Sequence, residues 1–491
     1  MDEEVWLGLD LGTQSARALA VTATGEPVGE GSAPLRSRRD GPRHEQDPAA
    51  WFGALARAAR AAVGGLGAAP RGVALCATSG TVLLVDAATG GPRTAGLMYD
   101  DTRAAADADR ANQAGGEVWA ALGYRMQPSW GLPKLLWLLR ERPALVPGAR
   151  LAHQADLVTR RLVGHAVPAD TSHALKTGYD LRRDRWPNEV LAELGVPDEV
   201  LPEVVLSGTR LGTVCAQAAA ATGIPAGTPV IAGMTDGCAA QLGAGALRVG
   251  DWNSVLGTTL VLKGVTERLL RDPAGVVYSH RAPDGGWLPG GASSVGAGAI
   301  SASFPGRDLE ALGRRAAARE PAGVVAYPLV SRGERFPFTA PQAEGFLLGT
   351  PADEVDAYAA LLQGVAFVER LCFDYLDLLG APTGGELSLT GGGTRSRYWC
   401  QLRADVLGRP VRLPEHAEAA LGMAVLAASA VTGRPAAEVA GAMVHVREVL
   451  QPRPDRAGRF RAPYLRLVDE LAGRGWLAPE VAAHARARAS R

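Results

Sequence analysis

The chain has 491 residues, 47% hydrophobic and 21% charged, and its 51 basic residues balance 51 acidic ones. That length exceeds what one hydrophobic core serves, so two domains are expected, and zero net charge argues against a nucleic-acid partner. No stretch of about 18 uninterrupted apolar residues occurs, so no membrane span is expected. The five cysteines, at 76, 215, 238, 372 and 400, show neither a Cys-x-x-Cys pair nor a metal-ligand spacing, which reads as a reduced, cytoplasmic protein. The acidic opening MDEE passes directly into a strand, unlike a signal peptide.

In chain order, VWLGLDLG and RALAVTA predict a hairpin turning at Gly12-Thr13-Gln14, with a third strand at 27–31. Residues 48–64 predict an Ala-rich helix with Pro48 in its first turn. GVALCATSGTVLLVD predicts two strands around a Thr78-Ser79-Gly80 bend, and 151–163 and 188–195 read as helices. A strand at 229–232, a tight bend at 233–237 and a small-residue helix follow. The Gly-rich segment 243–251 suits a hinge, which places two domains at 1–246 and 247–491. Beyond it come a hairpin at 252–263, helices near 295–305 and 352–379, the strand LSLTGG, the helix YWCQLRADVLG, the strand PVRLP and a helix at 417–432. Strands interleaved with helices read as α/β. The Arg-rich tail AHARARASR reads as a frayed, solvated helix end.

Two hairpins match each other: LGLDLGTQSARALA (7–20) and SVLGTTLVLKG (254–264). A Gly-Thr tip lets backbone N–H groups approach a phosphate with no Cβ in the way. Asp10, just before the first tip, is placed to hold Mg²⁺. Asp236 lies between Gly233 and Gly237 at the start of a helix, where a carboxylate can take the proton of an acceptor hydroxyl during phosphoryl transfer. A helix N-cap is the ordinary alternative for that residue. The chain carries no Walker A loop, no GxGxxG after a strand, no GxSxG and no HExxH.

These segments, in this order, resemble the FGGY carbohydrate kinases over nearly the whole chain. LGLDLGTQSARA resembles the family's first phosphate motif, and HEQDPAAWF (44–52) its Glu-Gln-Asp-Pro segment. ATSGT (77–81) and MYDDTRA (98–104) resemble its sugar-binding strands. SWGLPKLLWLLRE (129–141) resembles its first signature around Lys134 and Trp137, with Gly131 where Pro, Ser or Thr is usual. GMTDGCAAQLGAGA resembles the segment holding the catalytic base, LGTTLVLKG the second phosphate motif, and LTGGGTRSRYWCQLRADVLGRPV (389–411) the adenosine motif.

The resemblance implies a two-domain α/β, actin-like (ribonuclease H-like) ATPase fold with a catalytic cleft between the domains, and an ATP-dependent, Mg²⁺-using sugar kinase. It implies Asp236 as general base and Asp10 as the carboxylate organising Mg²⁺. Thr13, Gln14 and Ser15, and Gly257, Thr258 and Thr259, would meet the phosphates. Gly392, Gly393, Ser396 and Trp399 would meet the adenine nucleotide, and Ser79 and Asp101 would lie near the sugar. Each residue of this last group has an ordinary alternative: Ser79 as a bend residue, Asp101 as a cap for a helix near Thr102, Trp399 as core. The partner implied is a small-molecule sugar, and a homodimer is admitted. ATSGT, LKTGYD (175–180), LGTTLVLKG and GERFPF (333–338) resemble the ribulose-kinase branch, which points to D-ribulose phosphorylated at O5, with D-xylulose as the alternative. A non-catalytic sensor or an actin-like ATPase acting on proteins are readings of other classes; the first is disfavoured by retention of Asp10 and Asp236, the second by the sugar segments. Only Lys134, Lys176 and Lys263 are lysines, which suggests sites where a compact ammonium fits and a guanidinium does not.

Overall fold

The computed structural model describes residues 4–490; the acidic opening at 1–3 and Arg491 lie outside the described residues. The chain forms two compact units, with the first cut between Leu247 and Arg248.

Unit 1 is built on a six-stranded mixed sheet. Its strands are β1 (Val5–Leu11), β2 (Ser15–Thr22), β3 (Pro27–Pro34), β4 (Pro70–Ala77), β5 (Arg210–Thr213) and β6 (Pro229–Ile231), in the order β5-β6-β4-β1-β2-β3. The β1–β2 hairpin is antiparallel, whereas β1 and β6 each run parallel to β4. Parallel strands buried on both faces need continuous apolar sequence, and VWLGLDL and PRGVALCA supply it. Helix α1 (Pro48–Val63) starts where Asp47 accepts from Ala49 N at 2.9 Å and Pro48 presets the first turn. Its alanines and Trp51 lie on the sheet. Helix α2 (Gly131–Glu141) follows the segment at 129–130, and helix α3 (Asp236–Gly243) follows β6.

Unit 2 carries a seven-stranded sheet. Five of its neighbouring strands are β7 (Trp252–Leu256), β8 (Leu260–Gly264), β9 (Leu387–Thr390), β10 (Val411–Pro414) and β11 (Val446–Leu450), in the order β8-β7-β9-β10-β11. A hairpin followed by parallel pairing of its first strand thus recurs: β7 runs antiparallel to β8 and parallel to β9. The 25-residue α4 (Glu354–Leu378) is buried along most of its length, and α5 (Arg397–Leu407) packs beside it. The chain then returns to unit 1, as residues 280–288 also do, through 416–445. That segment carries α6 (Ala419–Thr432), which lies against β1 and α3. The approach is backbone to backbone: a Cβ on Gly8 would collide with Ala420 O, and one on Gly422 with Ala239 O. Helix α7 (Pro479–Ala489) closes unit 2.

Two sequence expectations are corrected. Residues 151–153 belong to a strand (Ala149–His153) paired with Val82–Asp86, and the helix begins at Gln154. A capping box starts it there, with His153 N donating to Asp156 Oδ2 at 2.8 Å. The Arg-rich tail is a docked helix rather than a frayed end. Val481, Ala482, Ala485 and Ala489 are buried, and His484 meets Asp377 at 2.8 Å.

Candidate active site

In unit 1 the chemistry-bearing residues gather at the C-terminal ends of parallel strands. Asp10 is opposite Cys76 in the β1–β4 register, and Thr235 bridges to Ala77. Asp236 is therefore delivered to the same edge as Asp10 and the Thr78-Ser79-Gly80 bend, the usual position for ligands in such sheets. Asp236 is the first residue of α3, and Thr235 occupies the N-cap. Its Oδ1 accepts from Gly237 N at 2.8 Å.

Burial pushes the Asp10 carboxyl up to about 6 from the usual 3.8, and the negative charge of Asp236 adds to the effect. Arg17 and the Cys76 thiol, 3.5 Å away, oppose it. Burial also pushes the Cys76 thiol up. A carboxyl whose folded pKa exceeds its unfolded value lends stability at low pH that is lost as pH rises from about 4 through about 6. Asp10→Asn should therefore stabilise the ligand-free protein at pH 8 by on the order of 2 kcal/mol and change it little at pH 4. Thermal melts at both pH values check this; equal midpoints at pH 8 would show that Asp10 carries no such penalty.

The first hairpin tip is held from outside. Gln46, in the HEQDP segment, donates to Thr13 O at 2.6 Å and accepts from Trp51 Nε1 at 2.7 Å. Gly12 N closes the tip onto Ser15 O at 3.0 Å. Gln14 is exposed, while Thr13 and Ser15 are half-buried. In the sugar-segment bend, Thr78 N and Oγ1 both donate to Gln154 Oε1, at 3.2 and 2.6 Å. The Ser79 hydroxyl is buried with no hydrogen-bond partner among the described residues.

Asp101 is fully buried and its carboxylate is already engaged. It accepts from His44 N at 2.7 Å and from Arg103 Nη2 at 2.7 Å. Nor does it cap the following helix, which begins at Ala105 with Ala104 at the N-cap. It does act on Lys134: burial pulls that ammonium down to about 7, and the Asp101 charge is the strongest influence opposing the fall. Sequence reasoning passed over Gln46 and flagged Lys134 only as a retained lysine within the first signature, without a role at the site.

Unit 2 holds a separate cavity of about 890 Å³. Gly257, Thr258, Gly392, Gly393, Ser396 and Trp399 line it, with Tyr358 and Ile300 as apolar wall; Thr259 stands outside the lining. The second tip is tight, with Gly257 N on Thr259 O at 3.0 Å, and its carbonyls accept from Ala297 N and Gly298 N. Gly391 takes φ +83°, and a Cβ there would lie 2.7 Å from Leu256 O, so the turn into the Gly-rich loop requires glycine. Ser396 caps α5 by accepting from Trp399 N at 3.2 Å. Trp399 is 4% exposed and its indole N–H donates to Leu362 O at 3.1 Å. The ordinary roles of these two residues, cap and core, are thus present alongside their place in the lining.

Residues 5–243 match the model of the N-terminal domain of the FGGY family of carbohydrate kinases, and 252–431 that of its C-terminal domain. A xylulose kinase of Streptomyces coelicolor is 33% identical over 451 residues, covering 88% of this chain and 89% of the relative. A glycerol kinase of Alkalilimnicola ehrlichii is 29% identical over 477 residues, covering 88% and 92%. The crystal structure of a xylulose kinase from Rhodospirillum rubrum superimposes with a TM-score of 0.86 at 26% identity, covering 96% of this chain and 99% of that one. With both domain models matched in order and a 33%-identical relative covering 88% of the chain, the chain belongs to the FGGY family of carbohydrate kinases and is an ATP-dependent sugar kinase.

Proposed function

We propose that this enzyme transfers the γ-phosphoryl group of ATP to O5 of a ketopentose, with D-ribulose as the preferred acceptor. The observation that carries the reaction is the Asp10–Asp236 pair at the strand ends beside the open Ser79 hydroxyl. Asp236 takes the proton of the acceptor hydroxyl as its oxygen attacks the γ-phosphorus, and ADP leaves. The unit 2 cavity takes the nucleotide: its glycines admit the adenosine, and Gly257, Thr258 and Thr259 offer the tip to the phosphates. Thr13, Gln14 and Ser15 do the same from unit 1. Ser79 orients the sugar, and Asp101 acts by holding its loop.

The donor set suits a cation that arrives with the nucleotide. Two carboxylates close enough to raise each other's proton affinity favour a cation near them, and Mg²⁺ is commonly held by one or two carboxylates together with phosphate oxygens. Among the described residues no group of three or more His, Cys, Asp or Glu could hold a metal unaided. Asp10 would hold the ion, whose chemistry is to neutralise phosphate charge.

D-Ribulose rests on the segments ATSGT, LKTGYD, LGTTLVLKG and GERFPF. D-Xylulose is the second reading, favoured by the names of the relatives from Streptomyces coelicolor and Rhodospirillum rubrum. Measured kcat/KM for the two sugars, with ³¹P NMR locating the phosphate, decides between them. A ratio favouring D-xylulose overturns the sugar choice, and phosphate on any oxygen but O5 overturns the regiochemistry. Thr258→Val should lower kcat about tenfold or more while leaving ketopentose KM nearly unchanged, since a phosphate contact acts on transfer. An unchanged kcat would remove this hydroxyl from phosphate binding.

A further inference from the structure

Two of the three lysines converge on one bend. Lys134, on α2, is fully buried, and its Nζ donates to Gly80 O at 3.0 Å and also to Met98 O. Lys176 Nζ donates to Ser79 O at 3.4 Å and sits 5.7 Å over the ring of Trp130, the residue at the N-cap of α2. The aliphatic stem of Lys176 closes over the bend: a Cβ on Gly80 would lie 3.3 Å from its Cδ. Consecutive carbonyls, 79 and 80, therefore each meet their own ammonium. Gly80, at φ +92°, turns the chain between them.

The Ser79 hydroxyl, on a residue held in this way, is buried and has no hydrogen-bond partner among the described residues. Buried hydroxyls normally find a partner, so one left open on a bend held from two sides has the character of a preorganised ligand group. Preorganisation requires that neighbouring contacts fix the group before substrate arrives. Met98 O, the other acceptor of Lys134, belongs to the second sugar segment, so the same ammonium ties the two segments together. A guanidinium is broader and directs its donors in a planar fork, so it would present the Gly80 and Met98 carbonyls with a donor geometry different from that of the compact Lys134 ammonium.

We propose that Lys134 and Lys176 are positioning residues of the kinase, fixing the 79–80 bend through its two carbonyls and so aiming the Ser79 hydroxyl at a hydroxyl of the sugar. This rests on the ketopentose-kinase reading above and names the machinery behind its sugar selectivity.

The test is steady-state kinetics on the full-length protein with Mg-ATP and the preferred ketopentose. It compares wild type with Lys176→Met, Lys134→Met, Lys134→Arg, Ser79→Ala and the Lys176→Met/Ser79→Ala double variant, each with a thermal melt. Lys176→Met should raise ketopentose KM about tenfold with the KM for ATP held within about twofold. Lys134→Met should do so more strongly, and Lys134→Arg should not rescue it. Because Lys176 acts through Ser79, Ser79→Ala should add less than about twofold in the Lys176→Met background. If Lys134→Met fails to fold, the half-buried Lys176 and the double variant carry the test. Folded lysine variants with unchanged ketopentose KM, or fully additive effects of Lys176→Met and Ser79→Ala, overturn the proposal while leaving the kinase reading intact. A wild-type protein that phosphorylates no ketopentose overturns both.

Discussion

Asp236→Ala should lower ketopentose phosphorylation about 10²–10⁴-fold, the span usual for loss of a general base. The fold should survive. Asp236 is the first residue of α3 and not its N-cap, and one hydrogen bond that it accepts comes from the adjacent Gly237. Removing the Asp236 carboxylate also relieves Asp10, whose proton is held partly by the charge of Asp236. The melting temperature should therefore stay level or rise while turnover collapses. Asp236→Asn, which keeps shape and loses basicity, should fall nearly as far as alanine. Turnover by either variant near the wild-type rate, measured as ketopentose-dependent ADP release, would remove Asp236 from the mechanism.

Arg403→Met should strongly destabilise unit 2. Arg403 and Glu369 are both fully buried and form a two-pronged pair, Nε to Oε2 at 2.7 Å and Nη2 to Oε1 at 2.8 Å. Ser254 completes the knot, donating to Glu369 Oε1 at 2.6 Å and accepting from Arg403 Nη2 at 2.7 Å. The three residues lie on α5, α4 and β7, so the knot joins elements that line the 890 Å³ cavity of unit 2. Removing the guanidinium leaves a carboxylate buried without its cation, which costs about 3–5 kcal/mol. The midpoint of the unit 2 transition in a thermal melt should fall by on the order of 10 °C. Adding Glu369→Gln should recover much of the loss, because the stranded charge is then gone. A single variant that melts with the wild type would show that the pair contributes little.

Much of the fold was legible because its signals are local. The apolar runs of VWLGLDLG and SVLGTTLVLKG, the Gly-Thr tips, and Pro48 after Asp47 each act within a few residues, and the structure places a hairpin or helix start at every one. What local pattern cannot carry is the return of 416–445 to unit 1. That association depends on Gly8 and Gly422 meeting backbone some 180 to 410 residues away in sequence, a pairing no window along the chain reveals. The tail failed for a related reason. Its arginines read as a solvated face, yet the alanines between them dock on unit 2, and Arg488 reaches Asp374 at 3.3 Å. Within the site, Asp10, Asp236 and the glycines of both tips announced themselves by residue type and spacing. Asp101 was named only through the family resemblance, and its burial against Arg103 and His44 N is a tertiary fact. Gln46 and Lys134 act on backbone carbonyls, Thr13 O and Gly80 O, and a carbonyl acceptor leaves no trace in sequence.

The central claim is sugar-dependent phosphoryl transfer. The most direct test is a coupled ADP-release assay with Mg-ATP against D-ribulose, D-xylulose, L-ribulose, L-xylulose, ribitol and glycerol, each read against a no-sugar baseline. The account predicts a large rate above baseline with a ketopentose, greatest with D-ribulose. ADP release at the same rate with and without every one of these acceptors would contradict it.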